Sequence, residues 1–128
     1  MAVLHKATFP HATVWGYWNA TTPLNPSGRV VVPASPDLAA GDTVELSWAA
    51  FSSLNASGRP IAGTELTLTQ AAGAGQDLVF EIPYAGHISP LDRSSGSGRV
   101  TYRALRAGEE IGTAAPALVK IDLVVPGQ

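Results

Sequence analysis

The sequence predicts an all-β fold of two packed antiparallel sheets, and three observations carry that prediction. Apolar residues recur with a period of two. Clusters of Gly, Pro, Asn and Ser interrupt them at short, near-regular intervals. No stretch sustains a helical stripe: "DLAAGD" at 37–42 suffices for one helical turn, and nothing longer is expected.

In chain order, the first candidate strand is 12–18, "ATVWGYW". "GRVVVPA" is short and ends in proline, as an edge or leading strand often does. "DTVELSWAAF" alternates most cleanly, with Val44, Leu46 and Trp48 on one face and Thr43, Glu45 and Ser47 on the other. In "TELTLTQ" the same rule turns Leu66 and Leu68 inward, and in "DLVFEIPY" it turns Leu78, Phe80 and Ile82 inward with Glu81 outward. Val100, Tyr102 and Ala104 of "RVTYRAL" oppose Thr101, Arg103 and Leu105; Val119, Ile121, Leu123 and Val125 of "ALVKIDLVV" oppose Lys120 and Asp122. The segments "TTPLNPSG", "PASPDLAAGD", "NASGRPIAG", "AAGAGQ" and "SPLDRSSGSG" read as turns. Seven strands result, or eight if residues 2–8 pair, and this spacing fits an immunoglobulin-like β-sandwich with Trp48 as the inter-sheet aromatic.

Composition sets the outer bounds. The 128 residues are expected to form one domain, 1–128, with 45% apolar and 14% charged residues, which suits a compact core and not a disordered chain. Net charge is −2, and Arg93, Arg99, Arg103 and Arg106 are the one basic concentration. They are expected to line the solvent face of one strand and the loop before it, too little for a nucleic-acid interface. The absence of cysteine removes disulfides, thiolate metal sites and Cys nucleophiles. "MAVLHKATFP" lacks an apolar run of export-signal length, and no run approaches 18 apolar residues, so neither a signal peptide nor membrane insertion is expected.

Catalytic constellations are not evident. "SSGSG" lacks the spacing of a strained nucleophile turn, and His87 and Asp92 in one loop do not make a triad. His5, His11 and His87 show no metal-ligand spacing, and Asp37, Asp42, Asp77 and Asp92 no calcium-loop run. Glu45, Glu65, Glu81, Glu109 and Glu110 are scattered over outward strand positions and one tight turn, unlike a glycosidase pair. Asn19-Ala20-Thr21 and Asn55-Ala56-Ser57 match the glycosylation sequon and read as turn chemistry. The expectation is a non-enzyme without metal or cofactor.

"HATVWGYWNAT" is the one stretch that invites a binding role. As a strand, 12–18 places Trp15 and Tyr17 on one face and Val14, Gly16 and Trp18 on the other, so a large aromatic faces each way. A sandwich strand buries one face, so at least one ring is expected at the surface. His11, Trp15, Tyr17, Trp18 and Asn19 could then form a glycan platform, a flat ring against a sugar beside amide hydrogen bonds. The alternative is packing, with one ring in the core and the other over a sheet edge or subunit contact. Trp18, at the strand end beside Asn19, is the ring expected outside.

The ordered blocks "VVVPASPDLAAGDTVELSW", "GQDLVFEIP", "GRVTYRALRAGEE" and "ALVKIDLVVPG" resemble the Ig-like repeats of very large surface and secreted proteins of pseudomonads and their relatives. The resemblance covers 28–127 and leaves 1–27 as a distinct aromatic N-terminal segment. It implies a non-catalytic structural or adhesive module, similar to those of adhesin and invasin stalks, in a bacterial surface protein or a phage or secretion particle. The location it implies is extracellular, cell-surface or virion-associated. A protein partner or self-association is then expected, with a lectin-like glycan binder using 11–19 as the alternative.

Overall fold

The structure, a computed structural model, describes residues 2–124. Nine strands follow in chain order: β1 (Ala2–Leu4), β2 (Tyr17–Asn19), β3 (Ser27–Val32), β4 (Thr43–Phe51), β5 (Leu66–Ala71), β6 (Leu78–Pro83), β7 (Ser95–Arg106), β8 (Glu109–Ala114) and β9 (Ala117–Asp122). An irregular turn at Tyr84–His87 and a 3-10 turn at Ser89–Leu91 link β6 to β7. The fold is an Ig-like β-sandwich: β3 and β6 form a small antiparallel sheet, and the other seven strands form the large one.

The large sheet is organised around β7, whose twelve residues are long enough to serve two neighbours in succession. Along one side runs β4, antiparallel from Thr43↔Leu105 to Phe51↔Ser97. Along the other, Ser95–Val100 pair with β9 and Arg103–Arg106 with β8. β8 and β9 are thus two halves of one course, parted at Ala115 and Pro116, where the proline has no amide hydrogen for a ladder. Outside them lie two three-residue strands that run parallel to their neighbours, β1 on β8 and β2 on β9. The antiparallel sandwich expected from the sequence therefore gains parallel edges, supplied by the N-terminal segment. The far edge is β5, antiparallel to β4.

The core lies where the alternation puts it. Val44, Leu46 and Trp48 of β4, Val100, Tyr102 and Ala104 of β7, and Val119 and Ile121 of β9 are buried against Val30, Val32, Phe80 and Ile82 of the small sheet. Leu123 is buried as expected, while Val125, expected on the same face, lies outside the described residues. Leu66, Leu68 and Leu78 pack against the core from partly exposed positions. Leu4, Ala7, Trp18 and Leu24 are buried in the same cluster, so the N-terminal segment contributes to the core.

One segment read as a turn is a strand, and a further strand forms outside the seven expected. "SSGSG" supplies the start of β7, because its glycines are the residues that fit under large neighbours. A Cβ at Gly98 would stand 2.0 Å from Trp48 Cη2, and one at Gly96 would stand 2.1 Å from the Phe51 carbonyl oxygen. Close approach, not turn formation, explains these glycines. The further strand is "EEIGTA", which forms β8 as the return strand of a two-residue hairpin. Its turn residues, Ala107 (φ 53°) and Gly108 (φ 82°), both have the positive φ that matches the twist of a tight hairpin.

Polar groups at the sandwich margins are tied down locally. Asp42 is buried and accepts Arg106 Nε at 2.9 Å and Nη2 at 2.8 Å, together with the Ala39 amide at 2.8 Å. The Arg106 guanidinium first, and the Ala39 amide second, hold its carboxyl below the usual carboxylate range despite burial. Arg103 and Glu45 pair in the open across β7 and β4 at 3.0 Å. Arg99 and Arg93 are exposed, so the basic group follows the strand and its leading loop as expected. Tyr102 donates to the His5 carbonyl, and burial pushes its phenol up to about 12.

Candidate contact site

Thr13 to Tyr17 form a closed turn. The Gly16 amide donates to the Thr13 carbonyl at 2.8 Å, the Thr13 amide to the Tyr17 carbonyl at 2.8 Å, and the Tyr17 amide to Thr13 Oγ1 at 3.2 Å. Gly16 takes φ 81°, the left-handed conformation that such a three-residue loop requires at its third position. A preceding turn, with the Ala12 amide on the Phe9 carbonyl at 3.0 Å, feeds into it. Behind it, the Lys120 amide donates to the Gly16 carbonyl at 3.0 Å and fixes the loop to β9.

This backbone sets the fate of each aromatic. Val14 and Trp15 occupy the turn's corners and project outward, 92% and 80% exposed. Tyr17 is half-buried on β2 with Lys120 Nζ 5.4 Å from its ring centroid, a cation over an aromatic face. Trp18 is completely buried, stacked on Trp48 at 5.7 Å and met edge-on by Phe9 at 5.5 Å. Gly28 lies beneath it, where a Cβ would come within 2.7 Å of Trp18 Cη2. Its indole Nε1 has no hydrogen-bond partner among the described residues. Trp48, by contrast, donates Nε1 to the His87 carbonyl at 3.1 Å.

The expected assignment of faces is therefore reversed: Trp15 is outside and Trp18 inside. Strand alternation does not run through 12–18, because the left-handed Gly16 closes a turn and β2 begins only at Tyr17. Alternation counted from Tyr17 puts Trp18 inward beside Ile121, its buried register partner.

The polar members of the stretch also separate. His11 is exposed. Asn19 turns its Oδ1 back on its own chain, accepting the Thr21 amide at 3.0 Å, Thr21 Oγ1 at 2.7 Å and Thr22 Oγ1 at 3.3 Å. It is a turn organiser, as is Asn55, whose Oδ1 accepts the Ser57 amide at 3.2 Å. The five candidate residues thus do not converge on one surface: Trp15 and His11 face solvent, and Tyr17, Trp18 and Asn19 are committed to the fold.

Several of the remaining polar side chains make local contacts. His87 Nδ1 lies 2.8 Å from the Thr64 carbonyl, and the Tyr84 phenol is raised chiefly by burial and further by the Asp92 carboxylate. Asp77 accepts the Ala34 amide at 2.7 Å. Among the described residues no three His, Asp or Glu side chains gather at metal-binding distance, and no helix is long and apolar enough to cross a membrane. A shallow cleft of about 300 Å³ lies on the outer face of the large sheet, lined by Glu45, Ser47, Thr101, Arg103, Thr113 and Pro116 among others. It is not legible in the sequence, since it is assembled from residues of three strands and Pro116 that are far apart along the chain. Comparison with protein-family models and with curated proteins finds no match to this chain.

Proposed function

We propose that this chain is a non-catalytic Ig-like module with a structural or adhesive role, which contacts a partner protein through the Val14–Trp15 turn. One observation carries the reading. A valine and a tryptophan stand 92% and 80% exposed on a turn that three short-range hydrogen bonds and the Lys120 anchor hold in place. A pre-ordered aromatic at a protruding tip loses little conformational entropy on binding and buries a large area, which is how interface anchors work. The bacterial surface protein, phage particle or secretion particle suggested by the repeat-like blocks is a setting in which such a module would act outside the cell.

A lectin-like role is the second reading, favoured by one flat, exposed indole. It has less to draw on, since Asn19 Oδ1 is used internally and the neighbouring rings are buried or covered by Lys120.

A photo-crosslinking residue placed at position 15 and exposed to extracts of the source organism separates the two, together with a glycan array of the parent and Trp15→Ala chains. A discrete protein adduct with an empty array is the expected result. An array signal that vanishes in Trp15→Ala would replace the protein-contact reading with the lectin one.

A further inference from the structure

The free edges of the sandwich are guarded unequally. β1 and β2 expose only three residues each. On β3, Val31 exchanges both backbone hydrogen bonds with Thr8 at 2.8 Å. On β6, the Val79 carbonyl accepts Gln70 Nε2 at 2.6 Å and the strand ends at Pro83. β5 carries none of these protections. Its six residues, "LTLTQA", include no proline and no charge, and they keep an unbroken register with β4. Natural edge strands normally carry such devices, so a bare edge is a template for another strand.

The backbone of β5 can be oriented group by group. The Ala72 amide donates to the Asp42 carbonyl at 2.7 Å. On the same side of β4, the Ala50 carbonyl accepts the Ile61 amide at 2.7 Å and the Ala50 amide donates to Thr64 Oγ1 at 3.1 Å. Even-numbered residues of β4 therefore turn their backbone toward β5, and their partners Leu66, Leu68 and Gln70 turn theirs back. Thr67, Thr69 and Ala71 are left with amides and carbonyls pointing away from the sheet, unpaired among the described residues. The side chains add an apolar stripe, because Leu66 and Leu68 are only partly buried, as is Leu78 on β6.

Charge identifies the occupant. From Pro60 to Asp92 the chain contains Glu65, Asp77, Glu81 and Asp92 but no lysine or arginine. Glu65 precedes β5, is exposed and has no ion pair among the described residues; Asp77 is exposed at the β6 side, where Glu81 is shared with Arg29 of β3 at 3.9 Å. A second copy of this chain would bring a second acidic margin against the first.

We propose that β5 accepts an extended segment of another polypeptide in which apolar and basic side chains alternate. Its backbone pairs with Thr67, Thr69 and Ala71. Its apolar side chains cover Leu66 and Leu68, and a lysine or arginine meets Glu65. This is strand addition, in which the main chain provides affinity and alternate side chains provide selection.

The test uses two acetylated and amidated ten-residue peptides of alternating valine and threonine, one ending in lysine at both termini and one ending in glutamate. Each is titrated into the whole chain to millimolar concentration while amide exchange is followed residue by residue. The lysine peptide should slow exchange at Thr67, Thr69 and Ala71, with an affinity about threefold to tenfold above that of the glutamate peptide at low salt. Thr69→Pro removes an outward amide that β4 does not use and should abolish the effect. Glu65→Lys leaves the edge intact and should reverse the peptide preference, which decides the matter if the proline variant does not fold. No slowing at millimolar peptide overturns the proposal, as do equal affinities for the two peptides. Slowing that appears without peptide and grows with protein concentration assigns the edge to a second copy instead.

Discussion

Trp18 and Trp15 are three residues apart and occupy opposite environments. Trp18 sits between the sheets on a backbone hollowed by Gly28, stacked against Trp48, which in turn rests on Gly98. Trp15 rides on a turn whose only glycine, Gly16, has open space around it. In the core, glycines make room for a ring; at the turn, a glycine supplies a backbone conformation. The residue type is the same and the use differs, because burial is decided by the backbone frame that carries the side chain.

That contrast can be broken most forcefully from the core side. Trp18→Ala and Trp48→Ala should each cost about 3–5 kcal/mol, because an aromatic is replaced by a cavity within a stacked pair. Denaturant unfolding measures this, and an unchanged midpoint for either variant would remove that ring from the core.

The glycine shelves come next. Gly98→Ala and Gly28→Ala should each destabilise by about 1–3 kcal/mol or more through overpacking, with Gly98 the worse because its Cβ would meet the ring at 2.0 Å. Combining Gly28→Ala with Trp18→Leu should cost less than the sum of the two, since the clash disappears with the ring. Additive losses would show that the glycine acts by conformation and not by close approach.

A smaller effect concerns acid. The folded-state pKa of Asp42 is depressed, so its pairing adds stability above the unfolded carboxyl value of 3.8, and that stability is lost as pH falls through the lower folded value. Asp42→Asn should be less stable than the parent at neutral pH, and the gap should narrow as pH drops below about 4. A gap independent of pH would mean that the carboxylate charge is not what Arg106 recognises.

The smallest effect is expected at the turn. Trp15→Ala and Val14→Ser should move stability by no more than about half a kcal/mol, since neither side chain leaves water on folding. Thermal unfolding of both beside Trp18→Ala would sharpen the comparison, and a loss at Trp15 matching that at Trp18 would erase it.

Much of the fold was legible because the core strands alternate without interruption. Val44, Leu46 and Trp48, or Val119 and Ile121, need no knowledge of partners to be placed inward. The failures occurred where a residue's meaning depends on something distant in sequence. Gly96 and Gly98 look like turn formers until Phe51, Leu91 and Trp48 are seen above them. Glu109 and Glu110 look like a loop until the Ala107–Gly108 turn returns them along β7. At the aromatic stretch, the presence of an exposed ring was foreseeable and its identity was not, because one left-handed glycine shifts the frame of the residues after it.

The parallel edges of the large sheet have a mechanical consequence. β1 beside β8 and β2 beside β9 run in the same direction, near opposite ends of the chain. Tension transmitted through the segments before β1 and after β9 would drag neighbouring strands lengthwise past each other, loading their hydrogen bonds together in shear instead of peeling them one at a time. The short N-terminal strands, which also carry Leu4 and Trp18 into the core, would thus act as a clasp against extension. In single-molecule pulling, the force needed to open the chain should fall sharply when Tyr17–Asn19 can no longer pair with β9.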